Sequence, residues 1–228
     1  MSKTSQVLKS AFDLLFDRYG PRHWWPGDTP FEVMVGAILT QNTNWKNVER
    51  AIADLKKSGF LDPHKMFALP PDTLASLIRP AGYFRVKTKR LRNFLEYFIK
   101  TYDGEISSMM EHSPQDLREE LLSVSGIGPE TADSILLYAL GKPVFVIDAY
   151  TKRIFSRHGV CDEYATYDDL QTLFMDSLPE DVTLYNEYHA LIVETGKDFC
   201  RKNPECDKCP LKDLPDAPPS IFSASSNA

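Results

Sequence analysis

Apolar positions recur at three- and four-residue intervals along most of the chain, which is the signature of amphipathic helices. Leu8, Phe12, Leu15 and Phe16 predict a helix over 5–18 that stops at Gly20. Thr29-Pro30-Phe31-Glu32 carries a capping side chain, a proline for the first helical position and a glutamate to close the cap, and the apolar run that follows predicts a buried helix to Leu39. Trp45, Val48, Ile52 and Leu55 mark one face of a helix over 44–57 that ends at Gly59, and short helices are expected from Pro63 and Pro71. Further helices are predicted over 85–101, 113–122, 129–140, 149–157, 166–177 and 183–199. Val144-Phe145-Val146-Ile147 suits a strand, and equally the buried approach to a helix. The fold class is all-α, and a disordered tail is expected over 215–228.

Composition narrows the class. In 228 residues, 43% are hydrophobic and 25% charged, enough for one or two cores of roughly 100 residues each. No apolar run reaches the ~18 residues of a membrane span and the N-terminus lacks the layout of a secretion signal, so no membrane partner and a cytoplasmic location are expected. The net charge of −6 weighs against a nucleic-acid partner, since phosphate neutralisation supplies most non-specific affinity. Between Thr73 and Leu95, however, Arg79, Arg85, Lys87, Lys89, Arg90 and Arg92 occur with no acid among them, a local positive face or simply a solvated one.

The chemistry concentrates after residue 120. A leucine-bearing helix runs into Gly126-Ile127-Gly128, and Pro129 opens the next helix at once. Such a hairpin turns backbone N–H groups outward, where they can hold a phosphate, although two glycines also serve an ordinary tight turn. Twenty residues beyond Gly128, Asp148 follows four apolar residues and opens a helix. An acid there is partly buried with its charge favoured by the helix dipole, and an N-cap aspartate has the same local sequence.

In order and spacing, Gly126-Ile127-Gly128-Pro129-Glu130-Thr131-Ala132 with Asp148 resembles the helix-hairpin-helix glycosylases of the endonuclease III superfamily. The resemblance implies two helical lobes, 26–142 and 1–25 with 143–214, with a DNA-binding cleft between them. It implies a base-excision-repair enzyme acting as a monomer on double-stranded DNA with a damaged base, and it makes Asp148 the catalytic carboxylate. Leu39-Thr40-Gln41-Asn42-Thr43 looks like the family's loop whose glutamine fills the gap left by an extruded base. Gly82-Tyr83-Phe84 looks like its wedge loop. Gln41, Tyr83, Arg85, Lys87, Gly126, Gly128 and Thr131 are thereby expected to meet DNA. An enzyme acting on a base must extrude it, so an anchor, a plug and a pocket acid form a coherent set.

Two departures refine the expectation. Relatives that also cut the backbone carry a lysine two residues after the second hairpin glycine, and Glu130 stands there, which cannot form a Schiff base. The adenine-specific branch carries a glutamate where this chain has Gly36. The phrases Trp24-Trp25-Pro26 and Phe145-Val146-Ile147-Asp148-Ala149-Tyr150 are most similar to the branch that includes the 3-methyladenine glycosylases. A monofunctional enzyme for alkylated purines is therefore expected, with Trp24, Trp25, Trp45 and Tyr150 as candidates to hold a cationic base or, equally, to pack the core. The alternatives are an endonuclease III-like glycosylase with lyase activity on oxidised pyrimidines, and a non-catalytic damage-binding protein.

Cys200, Cys206 and Cys209 resemble the family's iron–sulfur loop, with Pro215 where the fourth cysteine is expected. Remote Cys161, Asp207 or Asp213 could complete the set. A [4Fe–4S] cluster, a partial zinc site and a loop that folds without metal all remain open at this point.

Overall fold

The computed structural model describes residues 2–217; the expected tail falls outside the described residues from 218 onward. The chain forms two compact units, Trp25–Lys142 and a second that joins Met1–Trp24 to Pro143–Ala228. Among the described residues every regular element is helical. No helix among them is long and apolar enough to cross a membrane.

The Trp25–Lys142 unit is built on α2 (Pro30–Leu39), whose start is fixed by Thr29 accepting from the Glu32 amide. Every α2 residue after Pro30 is buried, as the unbroken apolar run predicts. Around α2 pack α3 (Trp45–Lys57), α6 (Phe84–Tyr102) and α9 (Pro129–Ser134). The short α4 (Pro63–Ala68) and α5 (Pro71–Leu77) lie on α6. Two more helices, α7 (Ile106–Met110) and α8 (Pro114–Ser123), complete the unit. The five residues of α7 are too few to display a period, and the sequence does not announce that helix. The predicted 129–140 helix is interrupted: after α9 it loosens into a π turn over Ile135–Ala139. Arg118 of α8 grips Asp133 of α9 in two parallel hydrogen bonds (Nε–Oδ1 2.8 Å, Nη2–Oδ2 3.3 Å), with the carboxylate fully buried. This fork fixes the angle at which the two helices of the hairpin meet.

The other unit packs α1 (Lys3–Tyr19), α10 (Ala149–Arg157), α11 (Tyr167–Ser177) and α12 (Val182–Asp198) around Tyr188. The Tyr188 ring touches Phe12, Phe145, Phe155 and Phe174, and its hydroxyl donates to the Leu8 carbonyl at 2.7 Å, so the one polar atom of this large side chain is satisfied where it is buried. The contact between α10 and α12 depends on Gly196: a Cβ there would lie 2.2 Å from Cδ1 of Tyr150. Residues 144–147 form no strand but a buried approach to α10 without regular structure. Side chains from α11 and its first turn serve their backbone: Gln171 Nε2 donates to the Phe145 carbonyl at 2.7 Å, and the Ile147 N–H donates to the Tyr167 hydroxyl at 3.3 Å.

Candidate active site

In the Trp25–Lys142 unit the hairpin turns at Gly126, whose φ of +101° favours glycine, while Ile127 is buried and anchors the turn. Gly128 differs from expectation. Its φ of −101° is open to any residue, and no atom lies within 4 Å of where its Cβ would be, so its bareness leaves space outside the turn rather than relieving the backbone. Gln41 is docked on this hairpin. Its Nε2 donates to the Gly126 carbonyl at 3.0 Å and to the Thr131 hydroxyl at 2.9 Å, while the Arg90 guanidinium donates to its Oε1. The role of Arg90 as the clamp on Gln41 is missed by the sequence, which counts it only as one cation among six.

Three of those six cations are spent inside the unit. Arg90 holds Gln41, and Arg92 donates to the Phe67 and Leu69 carbonyls at the end of α4. Lys87, expected to meet DNA, is 1% exposed and gives its ammonium to the Leu39 and Ala81 carbonyls, each at 2.8 Å. Burial first, and then the Arg90 charge, push its pKa down to about 8. The helical spacing that carries Arg85 and Lys89 to the surface points Lys87 inward. Thr131 is likewise buried beneath Gln41 instead of lying open. Tyr83 stands out: it is 71% exposed, with a left-handed φ of +44° uncommon for an aromatic residue. Arg79, Arg85, Lys89 and Glu130 are exposed.

The four candidate pocket aromatics are divided between the two units. In the Trp25–Lys142 unit, Trp25 meets Trp45 edge-on at 5.0 Å and Tyr138 at 5.2 Å, and both tryptophans lie against Gly36. In the other unit Trp24 carries the Lys197 ammonium over its ring at 5.6 Å, and Tyr150 is spent on packing, with Gly196 beneath it and the Arg153 guanidinium 4.9 Å from its centroid.

Asp148 caps α10. Its Oδ1 accepts from the Thr151 N–H at 2.7 Å and from the Thr151 hydroxyl at 2.8 Å. Oδ2 faces His189 Nε2 at 3.7 Å, beyond hydrogen-bond reach, and the carboxylate is 10% exposed. Burial lowers the His189 pKa; Asp148 pulls it up and Lys197 adds to the lowering. A neutral imidazole and an N-terminal helix dipole thus border a carboxylate with one oxygen fixed and one uncommitted. The sequence offers no signal that pairs His189 with Asp148, because the two lie 41 positions apart.

Cys200, Cys206 and Cys209 line one small cavity of about 90 Å³ together with Arg157, His158 and Lys212. Arg157 Nη1 lies 3.2 Å from Cys200 Sγ and 2.7 Å from the Arg201 carbonyl, and Arg153 donates to the Cys200 carbonyl at 2.7 Å. Burial raises the Cys209 thiol above its ordinary pKa. Among the described residues no three His, Cys, Asp or Glu side chains are arranged to hold a metal ion, and Cys161, Asp207 and Asp213 do not line the cavity. Three thiols in a pocket that also admits two cations do not fit a four-thiolate cluster.

Comparison with known proteins accords with this geometry. The chain is 50% identical over 92% of its length, and 96% of the relative's, to a Methanocaldococcus jannaschii protein provisionally named a DNA repair glycosylase. A solved structure of Helicobacter pylori (H.pylori) 3-methyladenine DNA glycosylase bound to 1,N6-ethenoadenine superposes with a TM-score of 0.72 at 30% identity, covering 85% of this chain and 97% of that one. A non-covalent endonuclease III–DNA complex superposes with a TM-score of 0.79 at 23% identity over 94% and 95% of the two chains, a likeness of fold. Residues 35–180 match the model of the HhH-GPD superfamily base excision DNA repair proteins. The chain belongs to that superfamily and is a DNA N-glycosylase.

Proposed function

We propose that this glycosylase is monofunctional and releases alkylated purines from duplex DNA, with Asp148 as the catalytic carboxylate. The observation that carries the reading is the setting of Asp148: a nearly buried acid with Oδ1 tied to Thr151 and Oδ2 uncommitted. As the glycosidic bond breaks, positive charge grows on the sugar, and a fixed carboxylate stabilises it more than mobile water can. Glu130, at the place where backbone-cutting relatives carry lysine, supports hydrolysis by water without a covalent enzyme–sugar link. The preference for alkylated purines is supported by the 30% identity to a 3-methyladenine glycosylase. A base already carrying positive charge needs little help to leave, and the electron-rich faces of Trp25 and Trp45 would favour it. Expulsion of the base costs a few kcal/mol, and Gln41, Tyr83 and the hairpin are the groups we assign to offset it.

The test is base release from duplexes carrying 3-methyladenine, uracil or thymine glycol, followed with and without an added abasic-site lyase. We expect release of the alkylated purine, strand cutting only when the lyase is present, and no borohydride-trapped enzyme–DNA adduct. Thymine glycol release with trapping would replace this reading with an endonuclease III-like one. No release from any duplex would leave a damage-binding protein.

For the cysteine loop we propose folding without a cluster, supported by the missing fourth thiolate and by the Arg153 and Arg157 hydrogen bonds that already hold it. Anaerobically purified protein should contain less than stoichiometric iron and show no thiolate–iron band near about 400 nm. One cluster per chain would overturn this.

A further inference from the structure

Two carbonyls mark the points where the Trp25–Lys142 unit releases its exposed loops. Leu39 is the last residue of α2, and the Gln41 loop begins beyond it; Ala81 ends a 3₁₀ turn, and Gly82 and Tyr83 follow. Each loop contains a non-glycine residue in the left-handed region, Asn42 at φ +54° and Tyr83 at φ +44°. Such conformations are disfavoured for L-residues and persist only where the surroundings hold them. Helix-end carbonyls have no partner within their own element. Here one ammonium serves both, Lys87 Nζ at 2.8 Å from each, and its side chain is 1% exposed. Among the described residues no carboxylate forms an ion pair with it. A buried cation with only carbonyl partners is a poor way to fill a core, where an apolar chain of the same length is commonly as stabilising or more so. What a lysine supplies and a methionine cannot is a bridge between two segments 42 positions apart, Leu39 and Ala81.

We propose that Lys87 is a positioning residue that locks the Gln41 loop and the Tyr83 loop into one rigid element, so that both enter the DNA together. The proposal rests on the reading of Gln41 and Tyr83 as the plug and the wedge. Lys87 itself reaches neither base nor sugar; it acts through the two backbones. Without it each loop still has its own local contacts, Gln41 on the hairpin and Tyr83 at the start of α6, but their relative placement is no longer fixed.

The full chain is tested on a duplex with a tetrahydrofuran abasic-site analogue beside a 2-aminopurine, whose fluorescence rises when inserted side chains unstack it. The probe needs no knowledge of the natural lesion and no chemistry. Lys87→Met keeps the length and removes both hydrogen bonds; Lys87→Gln keeps one amide donor and serves if the methionine variant does not fold. We expect thermal unfolding at or above the wild-type temperature and a fluorescence rise at least tenfold slower. A role in packing alone would lower the unfolding temperature and leave the fluorescence kinetics of the folded fraction at wild type, which would overturn the proposal. Wild-type kinetics at wild-type stability would overturn it as well. If the wild-type protein itself produces no rise, the assignment of the two loops fails and the clip fails with it. A rise in wild type that Lys87→Met reproduces sinks the clip alone.

Discussion

Asp148→Asn is expected to lower base release by about 100- to 1,000-fold while leaving the fold and DNA binding intact. The amide keeps an oxygen for the Thr151 N–H and hydroxyl, and asparagine caps helices as well as aspartate does, so α10 should start where it does now. What disappears is the negative charge on Oδ2, the group assigned to the developing sugar cation. Removing an anion from a surface that meets phosphates should strengthen binding to an abasic-site analogue rather than weaken it. Single-turnover base release and fluorescence anisotropy, measured together, check both halves. Retained release would remove Asp148 from the mechanism, and loss of binding with an unfolded circular dichroism spectrum would show that the residue serves only as a cap.

The largest effect on stability is expected at Arg118. Arg118→Leu leaves the Asp133 carboxylate, at zero exposure, without its guanidinium, and breaking a buried pair in this way costs about 3–5 kcal/mol; the quarter of the Arg118 side chain that meets solvent puts the expected loss near the lower end. The double variant Arg118→Leu/Asp133→Leu should recover a large part of it, because no buried charge remains. Urea unfolding of the four proteins in the cycle measures this directly. A loss under about 1 kcal/mol in the single variant would mean that water or other groups already compensate Asp133. The pair joins the two helices of the hairpin, so the same cycle asks whether activity falls with stability or ahead of it.

The helices and the acid at the start of α10 are legible in the sequence because periodicity and caps are local signals. Thr29, Ser113, Asp148 and Thr166 each announce a helix, and each caps one. What the sequence does not reveal depends on which way one face turns. Arg85, Lys87 and Lys89 occupy alternate positions on α6, and a charge count treats them alike, yet the first and last meet solvent while Lys87 lies in the core. The hairpin glycines read as equivalent, although only Gly126 has a backbone that demands glycine. The adjacent Trp24 and Trp25 belong to different units, since sequence proximity says nothing about which core a ring joins. The pairing of His189 with Asp148 and of Arg90 with Gln41 arises only once helices distant in the chain are brought together.

The irregular, buried approach to Asp148 bears on how such an enzyme can change over generations. Because Gln171 and Tyr167, rather than a neighbouring strand, satisfy the backbone at Phe145 and Ile147, the seat of the carboxylate is adjustable through single side chains. A sheet would resist such change, since moving one strand disturbs a whole ladder. Substitutions at 167 and 171 therefore offer a route by which the reach of the acid is retuned to a differently shaped lesion, leaving Asp148 and Thr151 themselves untouched.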